Sequence, residues 1–287
     1  MNDFSFSTIP ELVFGTGTFR LLPRMLERYG RHFLLVTGQR SFRESIPAQH
    51  FFSDMKNRGF QWSEISVHGE PSAEQIDFAV QQIRPNLPDA VVAIGGGSVI
   101  DAGKALAAML VSPLPVEHYL EGVGNQAPPG NKLPFVAVPT TAGTGSEATK
   151  NAVLSRVGEK GYKSSLRHDR YIPDQALIDP ELQLSCPFRL TACSGMDAFS
   201  QLLESYLSTK ASPLTDALAL EGLRNVSESL ARFSNDSLND RIFRSKMAYA
   251  AWLSGITLAN AGLGTVHGFA GSIGARFAIP HGTVCGA

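Results

Sequence analysis

Two His-Gly pairs, His267-Gly268 and His281-Gly282, and an upstream aspartate, Asp197, are the residues best suited to hold a divalent metal. Two imidazoles and one carboxylate bind such an ion and still leave positions open for a substrate. Gln201 follows Asp197 by one helical turn, so on a helix both side chains share a face and the amide becomes a fourth candidate donor. Each residue also has a plainer reading. An aspartate after Gly195-Met196 suits a helix cap, and single histidines on helices are more often packed or hydrogen-bonded than ligating.

A second chemistry comes from glycine. In Ala93-Ile94-Gly95-Gly96-Gly97-Ser98-Val99-Ile100-Asp101 a glycine turn lies between an apolar run and a helical stretch, where free amides and the helix dipole attract phosphate. Ser98 and Asp101 have the Ser-x-x-acidic spacing of a helix cap, which would hold that turn open. The alternative is a tight strand-to-helix connection with no ligand. Pro139-Thr140-Thr141-Ala142-Gly143-Thr144-Gly145-Ser146-Glu147 follows another apolar run, and its hydroxyls suit a nucleotide's ribose, amide or phosphates. A polar surface loop is the competing account. Parallel strands of one sheet would present both segments at the same edge.

The elements that must position these residues follow from periodicity. Phe33 to Thr37, Ile65 to Val67, Ala90 to Ile94, Pro134 to Val138 and Ala176 to Ile178 are expected strands, and Gln49 to Lys56, Ala73 to Ile83 and Val99 to about Leu110 are expected helices. The alternation implies a Rossmann-like parallel sheet covered on both faces. After Asp179-Pro180 the pattern turns helical, with Ser212-Pro213 opening one helix and Arg241 to Gly262 forming another. The expected organisation is an α/β dinucleotide-binding domain over 1–180 and an all-α metal-binding domain over 181–287.

With 43% hydrophobic residues among 287, the chain can bury cores for both. Lys and Arg number 25 against 26 Asp and Glu, which argues against nucleic acid as a partner. No apolar run approaches the length of a bilayer span, and Met1-Asn2-Asp3-Phe4 lacks the features of a signal peptide, so a cytoplasmic enzyme is expected. Cys186, Cys193 and Cys285 are scattered and odd in number, as reduced core or near-site residues would be.

These segments resemble the iron-containing (group III) alcohol dehydrogenase family of the dehydroquinate synthase-like superfamily. Gly95 to Asp101 is similar to its diphosphate signature, and Pro139 to Glu147 to its Pro-Thr-Thr-x-Gly-Thr-Gly-Ser-Glu segment. Asp179-Pro180, Gly195-Met196-Asp197-Ala198, His267-Gly268 and Pro280-His281-Gly282 match further motifs in order. The resemblance implies a metal-dependent, NAD(P)-linked alcohol dehydrogenase or aldehyde reductase acting on a small alcohol or aldehyde, commonly as a homodimer or larger homo-oligomer. It implies cofactor contacts from Gly95, Gly96, Gly97, Ser98, Asp101, Thr140, Thr141 and Thr144, with Lys163 near the nicotinamide ribose. It assigns the catalytic metal, Fe2+ or Zn2+, to Asp197, His267 and His281, with Gln201 as a further ligand. Other enzymes of the superfamily, a polyol or phospho-polyol dehydrogenase or a dehydroquinate synthase-like lyase, share these motifs, and a nucleotide-binding protein without turnover is a third class.

The chain departs from the family pattern at informative places. Gln201 stands where relatives usually carry a fourth, histidine ligand, and Gly271 where many carry a second histidine used as a proton relay. NAD-preferring relatives often have an aspartate after the first strand, whereas here the segment is Thr37-Gly38-Gln39-Arg40-Ser41. Without that carboxylate there is room for a 2′-phosphate, and Arg40 could pair with it, so NADP is favoured over NAD. Relatives continue with more helices beyond the Pro-His-Gly segment, so the helical domain is expected to lack its last part.

Overall fold

The apolar runs become strands. The computed structural model describes residues 3–287; Met1 and Asn2, which open the amino-terminal segment considered above, lie outside the described residues. The strands are β1 (Glu11–Phe14), β2 (His32–Gly38), β3 (Gln61–Val67), β4 (Ala90–Gly95), β5 (Phe135–Pro139), β6 (Asn151–Arg156), β7 (Tyr162–Arg167) and β8 (Gln175–Ile178). The helices are α1 (Leu22–Leu26), α2 (Ile46–Asn57), α3 (Ala73–Ile83), α4 (Gly97–Met109), α5 (Phe188–Tyr206), α6 (Pro213–Leu230), α7 (Arg241–Ala261), α8 (Thr265–Arg276) and α9 (His281–Cys285).

A six-stranded parallel sheet has the spatial order β1-β8-β5-β4-β2-β3. The chain runs outward from β2 to β3, returns to β4, and then proceeds in the other direction to β5 and β8. The direction therefore reverses between β2 and β4, where connections leave to opposite faces and a crevice opens at the carboxyl ends. Gly38 ends β2, and Gly95 ends β4 opposite Pro139 of β5.

Alternation along the central strands supplies both faces. Leu34, Val36, Val91 and Ala93 pack with α3 and α4, while Phe33, Leu35, Val92 and Ile94 meet Leu22, Leu26 and Phe51 of α1 and α2. Each fully buried aliphatic side chain contributes roughly 1.5–3 kcal/mol, which is why these runs resist exposure. Caps fix the helix starts: Ser72 and Gln75 form a capping box on α3, and Ser212 and Thr215 form one on α6 with Pro213 behind it. Gly262, with φ 79°, ends α7 in a conformation that favours glycine.

Beyond β8 the chain is helical. Leu202 of α5, Val226 of α6, and Met247 and Trp252 of α7 share a core that also takes in Ala176 and Ile178 of β8 and Ala142 and Ala148 of the threonine-rich segment. The helical region is thus packed directly onto the sheet edge that carries the polar loops.

One expectation and one competing reading are corrected, and three strands are new. Ser98 and Asp101 do not cap α4, because the helix already begins at Gly97, with Gly96 in the cap position and no side-chain cap bond. Asp197 is no cap either, since it lies in the middle of α5. The antiparallel hairpin β6–β7 and the edge strand β1 have no counterpart in the sequence reading. Tyr162-Lys163-Ser164-Ser165 of β7 has no apolar alternation, and β1 and β6 are short, each with an apolar run of only three residues, β1 being mostly exposed.

Candidate active site

Asp197, Gln201 and Glu204 lie one and two helical turns apart on α5 and form a polar face on an otherwise packed helix. α8 brings His267 in its first turn and α9 begins with His281, so three helices converge on one point. Asp197 is 2% exposed, and its Oδ1 is 3.2 Å from Nε2 of His267 and 3.8 Å from Nε2 of His281. The Sγ of Cys285, buried at the other end of α9, is 3.7 Å from both of those nitrogens. One ligating atom from each of these four residues lies within 4.8 Å of all the others.

Close backbone packing makes this possible. A Cβ on Gly282 would stand 2.4 Å from the carbonyl oxygen of Cys193, so only glycine lets α9 approach α5 so closely. A Cβ on Gly268 meets nothing within 4 Å, and the two His-Gly pairs therefore differ in what their glycines do. Glu204 accepts from the backbone amide of Val266 at 2.7 Å and bonds Nδ1 of His267 at 2.6 Å, so it pins the start of α8 and orients the ring. Sequence reasoning assigned Glu204 no role. The signal lay in its spacing, the third acidic or amide side chain on the Asp197 face.

The electrostatics are those of a site built for a cation. Burial alone would push the Asp197 carboxyl up, but the hydrogen bond from His267 and the charges of His281 and His267 hold it below its usual value. Burial also opposes charge on His267, yet its hydrogen bonds to Asp197 and Cys285 and the neighbouring negative charge raise it to about 10. Burial lowers His281, against the pull of Asp197, and its Nδ1 is buried without a hydrogen-bond partner. A carboxylate and two imidazoles at these separations fit a divalent metal.

Gln201 is adjacent but turned away. Its Oε1 accepts from the Ser254 hydroxyl at 2.9 Å, and its Nε2 lies 3.4 Å from Asp197 Oδ1, so the amide presents hydrogens to the cluster. Ser254 also lies 3.4 Å from the carbonyl of Gly143, which links α5 and α7 to the threonine-rich segment. Gly271 on α8 has open space around it and brings no side chain to the site.

The glycine and threonine segments meet at the carboxyl edge of the sheet. None of Gly95, Gly96 and Gly97 has a positive φ, so their glycines serve space and not conformation. A Cβ on Gly97 would lie 2.6 Å from Thr144, and one on Gly95 2.6 Å from Val99. The amides of Gly97 and Ser98, in the first turn of α4, have no intrahelical acceptor. Thr140 donates its amide to Gly95, which sets Thr141 beside Gly96. A cavity of about 220 Å³ at this edge is lined by Ser41, Phe42, Thr140, Thr141, Leu182 and Cys186.

The remaining sequence candidates have other partners. Asp101 bonds the Ser146 hydroxyl at 2.5 Å and faces inward to Lys104, as part of the scaffold under the loop. Lys163, on β7, pairs with Glu70 at 2.5 Å, and its stem runs beneath Gly274 of α8. Arg40 and Ser41 are exposed past the end of β2. Arg43, not considered from the sequence, bonds Thr37 Oγ1 and the Glu64 carboxylate.

The comparisons with known proteins agree with this architecture. The family model "Iron-containing alcohol dehydrogenase" matches residues 10–180, and "Fe-containing alcohol dehydrogenase family, C-terminal" matches residues 191–287. Long-chain-alcohol dehydrogenase 1 of Geobacillus thermodenitrificans is 34% identical over 92% of this chain and 66% of its own length. The NADPH-dependent butanol dehydrogenase of Clostridium saccharobutylicum is 32% identical over 96% of this chain and 70% of its own. The chain thus spans about two thirds of the length of these relatives. Among solved structures, sulfoacetaldehyde reductase from Bifidobacterium kashiwanohense in complex with NAD+ superposes with a TM-score of 0.88 at 28% identity, covering 99% of this chain and 74% of that one. By its motifs, its sheet order and these matches, the chain belongs to the iron-containing alcohol dehydrogenase family.

Proposed function

We propose that the chain is the dinucleotide- and metal-binding part of an NAD(P)-linked dehydrogenase that interconverts a small primary alcohol and its aldehyde. The observation that carries this reading is the convergence of Asp197, His267 and His281 beside the carboxyl edge of the sheet. The amides of Gly97 and Ser98 offer donors to a diphosphate at the mouth of the crevice. Thr140 and Thr141, beside the cavity wall formed by Phe42 and Leu182, offer hydroxyls to the adenosine half. Asp197, His267 and His281 hold the metal, with Glu204 fixing the ring of His267. When bound, the metal supplies Lewis acidity toward the alcohol or aldehyde oxygen and the nicotinamide supplies hydride exchange.

NADP is the favoured cofactor in this reading. Arg40 is exposed at the end of β2 and forms no ion pair among the described residues, whereas Arg43 nearby is committed to Glu64. A 2′-phosphate would find Arg40 free, and Arg40→Ala would lower the preference for NADPH by about tenfold. The three free cysteines are in keeping with a cytoplasmic setting.

The test is reduction of a panel of aldehydes by metal-free and metal-restored protein, with NADPH and with NADH. Turnover should return with metal and be absent in Asp197→Ala. Activity indifferent to metal and to Asp197→Ala would overturn the metal reading, and a strong preference for NADH would overturn the cofactor reading alone.

A further inference from the structure

The fourth corner of the metal cluster has two claimants. Gln201 has the place on α5, one turn after Asp197, but its oxygen is engaged by Ser254 and its amide hydrogens face Asp197. A nitrogen bearing two hydrogens has no lone pair to give a metal. Cys285 comes from the opposite side. It lies four residues after His281 on α9, so the thiol and the imidazole share one face, and it is 6% exposed.

The separations are those of a coordination polyhedron. Zinc bonds of about 2.0 Å to nitrogen and oxygen and about 2.3 Å to sulfur require tetrahedral edges of roughly 3.3–3.6 Å. The Sγ of Cys285 is 3.7 Å from Nε2 of His267 and 3.7 Å from Nε2 of His281. Asp197 Oδ1 stands 3.2 and 3.8 Å from the same nitrogens. These four separations lie within about half an ångström of those edges, and all four donor atoms fall within 4.8 Å of one another.

The position of the thiol is built and not incidental. Ser200 of α5 donates its hydroxyl to the carbonyl of Cys285 at 3.0 Å. Cys193 and Thr283 are in contact at 3.3 Å, and a Cβ on Gly286 would touch Met196 at 3.0 Å. Two contacts and the close approach of Gly282 and Gly286 thus hold α9 and its end against α5, and together they set the depth of the sulfur. The other two cysteines are elsewhere: Cys186 accepts from Arg244 through its carbonyl, and Cys193 meets Thr283.

We propose that Cys285 is the fourth protein ligand of the metal and that Gln201 serves to position Asp197. This rests on the metal-binding reading of Asp197, His267 and His281. On binding, a metal–sulfur bond would form as the S–H bond breaks, the thiol proton and any proton displaced from the ligating imidazole nitrogens would pass to solvent, and no electron would be transferred. The carboxylate and the thiolate then neutralise the dication, and the soft sulfur shifts preference from Fe2+ toward Zn2+.

X-ray absorption at the zinc edge of the zinc-loaded wild-type chain tests this without a substitution. One sulfur at about 2.3 Å beside nitrogen and oxygen at about 2.0–2.1 Å is the expected shell. Bound zinc with a nitrogen and oxygen shell alone would overturn the role of Cys285 and leave the metal reading standing. No zinc, cobalt or iron retained at equilibrium dialysis would overturn both. Cobalt-loaded protein gives a second measurement: the wild type and Gln201→Ala should show thiolate-to-cobalt charge transfer. Cys285→Ser should lose that band and bind cobalt at least about tenfold more weakly. Charge transfer surviving in Cys285→Ser would also overturn the assignment.

Discussion

Glu204 illustrates how single side chains decide the quality of this site. Its two oxygens are divided between the Val266 amide and Nδ1 of His267, so one residue sets both the start of α8 and the tautomer of the ring that faces Asp197. Carboxylates behind metal-bound histidines typically account for about 10–100-fold in affinity, and Glu204→Ala is expected to weaken zinc binding by that factor in a chelator competition. Glu204→Gln keeps an acceptor for Val266 and should recover part of the loss. Equal affinity in all three proteins would remove the positioning role. Asp197, His267 and His281 were legible in the sequence because their motifs are local. Glu204 and Cys285 were not, because what identifies them is contact with residues distant in the chain, 63 positions for Glu204 with His267 and 85 for Cys285 with Ser200.

Among elements, α4 and the threonine-rich segment are coupled through a buried cation. Lys104, 1% exposed, donates to the carbonyls of Ser146 and Asn151 and to the hydroxyls of Ser146 and Thr149, and it faces Asp101 and Glu147. Lys104→Met leaves those acids without their cation and is expected to destabilise the fold by about 3 kcal/mol or more in urea unfolding. Burial pushes Glu147 up to about 7 and lowers Lys104 to about 8. For the acid, the folded state keeps a proton that the unfolded state releases, so the stability it contributes is full below about 4.5 and is lost as pH rises through about 7. For the lysine, the folded state releases its proton first, so the cost of its burial is relieved from about 8 toward 10.5. Glu147→Gln should therefore gain stability relative to the wild type between pH 4.5 and 7. A constant difference across that window would contradict the buried-acid account. Periodicity revealed α3, β4 and α4 nearly to their ends, since each is a run with one consistent pattern. The hairpin β6–β7 escaped it because packing on α4 and α8, and not its own composition, makes it a hairpin.

At the scale of the molecule, the shared side-chain core between the two halves is joined at one point by direct backbone contact. Gly145, with φ 59°, lies so close to Gly255 of α7 that a Cβ on either would fall within 2.5 Å of the other's backbone. The loop that borders the dinucleotide crevice is thereby set against the helical region. The proposed metal donors come from α5, α8 and α9, so a bound ion would tie these helices together, and ligand present at 100 times its dissociation constant stabilises by about 2.7 kcal/mol. Chelation is expected to lower the Tm and to speed hydrogen exchange first in α8 and α9, where large apolar side chains such as Phe269 and Phe277 are exposed. An unchanged Tm and exchange pattern would show that the cluster does not fasten these helices.

Local pattern was enough to determine the parallel sheet, the helical second half and the glycine turn after β4, and to single out Asp197, His267 and His281 as candidates that the fold brings together. Hydrophobic period and turn chemistry are properties of neighbouring residues, and a sequence displays them directly. Only the tertiary structure decided the rest. It turned the Gln201 amide toward Ser254, placed Cys285 against both histidines, set Glu204 behind His267 and made Asp101 part of the scaffold. Each of these depends on which backbone surfaces approach within a few ångströms, and that is settled by packing between helices and loops far apart in the chain.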